Sequence, residues 1–211
     1  MGALQHKQTT MPTFNSNLLI TDLQQQTESF LNEAVQQWQM LPPATMLHKE
    51  SPEKWSATQC LMHLNSYGLY YLPAIAKTID EAKSKQVLHT KDFKSSWIGN
   101  YFTELMLPKD AAGTVRKMKA PKNHTPLAND NSDVAIATFI DQQEMLLQLL
   151  EKARGIDLRK ATTPVSISKF IRLPVGDTFR FLIAHNYRHV LQAKRAIAHA
   201  KLQASGYKLQ V

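Results

Sequence analysis

Apolar positions recur along this chain at the three-and-four spacing of helices in four separate stretches. Leu19, Leu23, Phe30, Leu31, Ala34 and Trp38 form the first set and predict a helix from Ser16 to near Leu41, where Pro42-Pro43 stops it. A loop follows to Lys54. Ser51-Pro52-Glu53-Lys54-Trp55-Ser56 then reads as a helix start, with Ser56 as N-cap and Gln59 completing a capping box. This second helix carries Cys60, Leu61, His63, Leu64, Tyr67, Tyr70 and Tyr71 and runs to about Lys83, with a kink expected at Pro73. Asp130-Asn131-Ser132-Asp133 offers caps for a third helix, whose apolar face is Val134, Ala137, Phe139, Ile140, Leu146, Leu147 and Leu150 and which Gly155 ends. A fourth runs from about Val175 to Ala204.

Between these stretches lie two irregular connections, 86–131 and 156–174. The first is too long to be structureless in a compact domain, so short helices and a loop packed over one end of the helices are expected there. The pattern predicts an all-α, single-domain four-helix bundle over 16–205 with long crossover connections, a loose tail at 1–15 and a short tail at 206–211. Composition agrees: with 43% apolar and 20% charged residues the chain is an ordinary folded one, and only 7 glycines occur. Cys60 is the sole cysteine, which excludes an internal disulfide and fits a reducing compartment. Met1–Asn17 has no continuous apolar core and no run approaches a membrane span, so a cytoplasmic protein is expected.

The net charge is +8, and nine Lys/Arg face three acids between Lys83 and Lys122. An anionic partner would use such a region, but no nucleic-acid motif accompanies it, and a solvated basic loop is the simpler reading.

The chemistry concentrates in His185-Asn186-Tyr187-Arg188-His189, inside the most apolar helical stretch. Residues four apart share a helix face, so both imidazoles can address one atom, and a metal ion is the usual atom. The zincin glutamate is absent, because Asn186 follows the first histidine. Chance alone gives ~0.3 such pairs in a chain of this composition, so one buried histidine bonded to a carbonyl and one exposed histidine is the competing reading. Leu182, His185, His189, Gln192 and Ala196 lie in one narrow stripe, and two basic rings inside a core stripe need a reason. His63, mid-way along the second helix, adds a third ring, and three core-facing histidines would leave positions for water or substrate.

The remaining histidines are weaker candidates. His6 and His48 fall in the tail and a loop. His199 lies about 15 Å along the helix from His189, while His89 and His124 are in the irregular region and can approach the mouth of the bundle. Cys60, one turn before His63, reads as packing rather than as a thiolate. Trp55, Tyr67, Tyr70 and Trp97 read as core aromatics.

Three stretches carry a resemblance. Trp55-Ser56-Ala57-Thr58-Gln59-Cys60-Leu61-Met62-His63-Leu64, Lys119-Ala120-Pro121 through Pro126, and Ala184-His185-Asn186-Tyr187-Arg188-His189-Val190-Leu191-Gln192 are similar, in order and spacing, to the DinB/YfiT-like superfamily, in its DinB-like domain 2 subgroup. The resemblance implies a four-helix bundle with a divalent metal held by His63, His185 and His189. Zinc or nickel is implied first, and iron or manganese less so. Members include S-transferases that use a low-molecular-weight thiol such as bacillithiol or mycothiol, metal-dependent hydrolases, and proteins with no demonstrated activity; homodimers are common. The expectation is therefore a metal-dependent S-transferase or hydrolase acting on a small molecule, against a non-catalytic stress-response bundle that binds metal or a small ligand. No general base can be named, and Arg188 and Gln192 are candidates for orienting the ligands or, for Arg188, for a surface or dimer contact.

Overall fold

The computed structural model describes residues 10–109, 114, 116, 118–126, 131–166 and 168–206. In chain order its elements are β1 (Thr13–Asn15), α1 (Ser16–Gln36), α2 (Pro43–Leu47), α3 (Ala57–Ser84), β2 (Asp92–Lys94), α4 (Trp97–Met106), α5 (Ser132–Ala153), β3 (Thr162–Val165), β4 (Ser168–Pro174) and α6 (Val175–Ala204). The class is helical, as the periodicity predicts. The four long helices contact one another in a cycle: α1 packs on α5 and α6, and α3 packs on the same two. Their buried faces meet in a core that includes Ile20, Phe30, Leu61, Leu64, Phe139, Leu146, Leu150, Phe179 and Ile183.

The helix starts follow the sequence closely. Asn15 caps α1 by accepting from the Asn17 and Leu18 amides, both at 3.1 Å. At α3 the capping box is complete: Ser56 Oγ accepts from the Gln59 amide at 3.1 Å and Gln59 Oε1 accepts from the Ser56 amide at 3.2 Å. Asn131 caps α5 through its side-chain oxygen. The first helix ends earlier than expected, at Gln36, and Trp38–Met40 tightens into a 3-10 turn that turns the Trp38 indole into the core beside Phe139, with ring centroids 6.0 Å apart. α3 continues through Pro73.

Two antiparallel strand pairs depart from the purely helical expectation. β1 pairs with β2, so Thr13–Asn15, assigned to the tail, already belong to a sheet. β3 pairs with β4, so much of the irregular stretch 156–174 is a hairpin. Its strands contain Thr162, Thr163, Val165, Phe170 and Ile171, β-branched or aromatic residues that suit a pleated surface, in runs too short for periodicity to separate from loop. Among its described residues the first irregular region holds the expected short helix, α4, and a 3-10 turn at Lys122–His124.

These additions fix the start of α6. The Val175 amide donates to Ala161 O at 2.8 Å and the Gly176 amide to Leu158 O at 3.0 Å. Asp177, fully buried, accepts from Ser95 Oγ at 2.5 Å and from the Ser96 amide at 2.8 Å, and Arg180 reaches Asp177 and the Ser95 and Asn100 side chains. A Cβ on Gly99 would lie 2.3 Å from the Asp177 carboxyl, so α4 can approach α6 this closely only with glycine there. No helix among the described residues is long and apolar enough to cross a membrane.

Candidate metal centre

His185 and His189 lie one turn apart on the inward face of α6, and His63 projects from α3, which packs against it. Each ring is buried, with 3%, 7% and 3% of the surface of His185, His189 and His63 exposed. One nitrogen from each residue lies within 4.8 Å of the other two. The structure thus brings together all three sequence candidates. His6 is outside the described residues, while His48 and His199 pair with each other, Nε2 to Nδ1 at 2.8 Å, away from the cluster.

The outer nitrogens set the direction of the inner ones. His63 Nδ1 lies 2.6 Å from the backbone oxygen of His124, which can only accept, so this nitrogen carries the proton and Nε2 keeps its lone pair. His189 Nδ1 donates to Gln192 Oε1 at 3.0 Å, which likewise leaves its Nε2 free. His63 Nε2 faces His185 Nε2 at 3.1 Å, while His185 Nδ1 is buried with no partner. Two nitrogens bound to one ion at ~2.1 Å are separated by about this distance. With its proton on Nε2, His185 donates to His63 Nε2; with the proton on Nδ1, both Nε2 lone pairs face one point, and that is the form in which the donor set suits a divalent ion.

Burial keeps these rings neutral. It lowers the pKa of His63 to about 4, helped by the charges of His124 and Arg188 and opposed by the His124 hydrogen bond. It lowers that of His189 to about 3, with His63 and Arg188 adding to the effect and the Gln192 bond opposing it. His185 is pushed well below its ordinary value, first by burial and then by His189 and His63. Neutral imidazole is the metal-binding form.

Aromatic rings wall the cluster. Trp55 lies 4.9 Å from His63 and 5.7 Å from His189, Tyr67 lies 4.3 Å from His185, and Phe181 stacks on His185 at 5.9 Å, all between ring centroids. Burial raises the Tyr67 phenol to about 12, so it stays protonated at neutral pH. The core reading of Trp55 and Tyr67 therefore extends to lining the site. Trp97 departs from that reading: at the first turn of α4 it is 67% exposed and stacks on Tyr101 instead, and Tyr70 also reaches the surface. Cys60 is fully buried, and burial raises its thiol pKa, so it packs as an apolar residue with no thiolate role.

His124 is the residue that sequence reasoning undervalued. The 3-10 turn buries it beside α3, its Nδ1 2.9 Å from Ser66 Oγ and its ring 4.0 Å from Tyr67. It contributes its backbone oxygen to His63, a role that no side-chain pattern reveals. The Pro121 and Pro126 that frame it were the only local signal.

A family model described as the DinB superfamily matches residues 24–193, a span that includes all three histidines. No curated protein and no solved structure matches the chain.

Proposed function

The chain belongs to the DinB superfamily, and from that premise we propose that His63, His185 and His189 hold one divalent metal ion and that the protein is a metal-dependent enzyme. The convergence of three buried, neutral imidazoles with their outer nitrogens already engaged or unpartnered is the observation that carries this reading. Zinc or nickel suits the all-nitrogen set best, ahead of iron or manganese. When bound, such an ion lowers the pKa of a coordinated thiol or water, which is the chemistry of an S-transferase or of a hydrolase. Thiol transfer, with a low-molecular-weight thiol of the bacillithiol kind, is the leading form.

The residues of the chain do the rest. His124 and Gln192 hold His63 and His189 in one tautomer, and Trp55, Tyr67 and Phe181 exclude water, with the Tyr67 ring packed against His185. No carboxylate joins the three-histidine group among the described residues, so no acidic general base is assigned. A homodimer in a reducing, cytoplasmic setting belongs to the same proposal, and the lone buried thiol of Cys60 is compatible with that setting. The second reading is a bundle that binds metal or a small ligand without turnover.

Elemental mass spectrometry on untagged protein tests the site. The expected result is about one metal per chain, lost in both His63→Ala and His185→Ala, with thermal stabilisation of the wild type worth about 2.7 kcal/mol at a hundredfold excess over Kd. A wild-type protein that takes up no zinc, nickel or manganese on incubation overturns the metal reading. With metal in place, thiol-transfer and hydrolase screens separate the enzyme from the binder.

A further inference from the structure

Arg188 lies between the two histidines of α6 in sequence and is itself buried, with 6% of its surface exposed. Its Nη2 donates to the backbone oxygen of Arg116, and its Nη1 is buried without a partner. No ion pair with a carboxylate holds it among the described residues. The buried carboxylates there, Asp157 and Asp177, are engaged elsewhere, Asp157 with the amides of Arg159 and Lys160 and Asp177 with Ser95, Ser96 and Arg180. On α6 Arg188 adjoins His189 and lies three residues, just under one turn, from His185, which places it beside the cluster.

A buried cation with one donor unused is costly, and a divalent ion on three neutral imidazoles would add two more positive charges, with no carboxylate in the group among the described residues to offset them. A site of this kind is electrostatically incomplete until an anion enters. We propose that the ligand completing the centre is a small organic anion bearing a carboxylate, and that Arg188 receives that carboxylate through Nη1. The inference rests on the three-histidine metal reading and assigns the chemical class of what enters there. A planar carboxylate matches the planar guanidinium, and the rings of Trp55, Tyr67 and Phe181 suit an apolar body between its two ends. A thiol carrying its own carboxylate offers two negative charges to a site with three positive ones, and a neutral thiol offers one.

The test uses zinc-loaded protein of measured zinc content, titrated calorimetrically with 3-mercaptopropionate, with 2-mercaptoethanol and with propionate. The expected result is that 3-mercaptopropionate binds about tenfold more tightly than 2-mercaptoethanol, the scale of one charge-assisted hydrogen bond. In Arg188→Gln, still zinc-loaded, the advantage falls below about twofold, and Arg188→Lys restores part of it. Equal affinity of the two thiols for the wild type, or an advantage that survives Arg188→Gln, overturns the inference and leaves the metal reading intact. The wild-type ratio decides even if Arg188→Gln does not fold. Arg188-dependent binding of propionate with no thiol binding supports the anion site and defeats the thiol reading. Protein that takes up no zinc defeats the metal reading; propionate titration of that metal-free protein then tests Arg188 alone, and no Arg188-dependent binding overturns the inference.

Discussion

In its first two turns α6 buries Asp177 and Arg180; about 12 Å further along the same helix it buries His185, Arg188 and His189. The first centre is closed. Asp177 is bonded to Ser95, Ser96 and Arg180, and Arg180 also reaches Asn100 and lies over the Phe14 ring at 4.5 Å. The second is open. His185 Nδ1, Arg188 Nη1 and, on the adjoining turn, His124 Nε2 are buried without partners. A polar network whose groups satisfy one another positions elements, here α4 and the β1–β2 pair against α6. A buried cluster that leaves donors and lone pairs unused is costly to the fold, and binding something is what offsets that cost.

The largest expected effect breaks the closed centre. Asp177→Ala leaves the Arg180 guanidinium buried without its carboxylate and should cost about 3–5 kcal/mol, measured by chemical denaturation. A loss below about 1 kcal/mol would mean that the network is incidental to holding α4 on α6.

Acid should strain the open centre. In the unfolded chain a histidine titrates near 6.5, whereas in the metal-free fold His63 and His189 titrate near 4 and 3. Between these values the unfolded state binds more protons than the folded one, so stability falls as pH drops. It is fully present above about 6.5 and is lost progressively towards 4 and then 3. At about 1.4 kcal/mol per pKa unit the loss is on the order of 3 kcal/mol for His63. Denaturation of metal-free wild type and His189→Leu at pH 7 and pH 5 checks this: the variant should lose less stability on acidification. Equal losses would show that the rings are hydrated and titrate normally.

The two centres also differ in how far the sequence discloses them. The histidines stood out because a basic residue at helical spacing inside an apolar stripe is a local contradiction, visible in Leu182, His185, His189 and Ala196 without any structure. The closed centre gave no such signal. Asp177 looks like an ordinary first-turn acid, and its partners Ser95 and Ser96 lie more than 80 positions earlier, on a connection whose path no periodicity describes. The hairpin of β3 and β4 stayed hidden for a related reason: its strands are too short to show alternation, and their pairing is tertiary. Helix boundaries set by local caps, such as Ser56 with Gln59, were legible, whereas the end of α1 was not, since the turn at Trp38 follows from burying its indole against Phe139.

The smallest expected effect tests how the open centre is held. Ser66 Oγ donates to the His63 backbone oxygen at 2.7 Å, so the Nδ1 of His124, 2.9 Å away, donates to the serine oxygen. That bond anchors the 3-10 turn, and the His124 backbone oxygen in turn fixes the proton on His63 Nδ1. Ser66→Ala removes the anchor without touching any proposed ligand. It should weaken zinc binding about tenfold, the lower end of what loss of an outer partner costs a ligating histidine, while changing stability by only about 1 kcal/mol. Competition against a chromophoric chelator measures the first and denaturation the second. Unchanged zinc affinity would mean that α3 alone orients His63; a loss as large as that of His63→Ala would mean that the turn carries the site rather than tuning it.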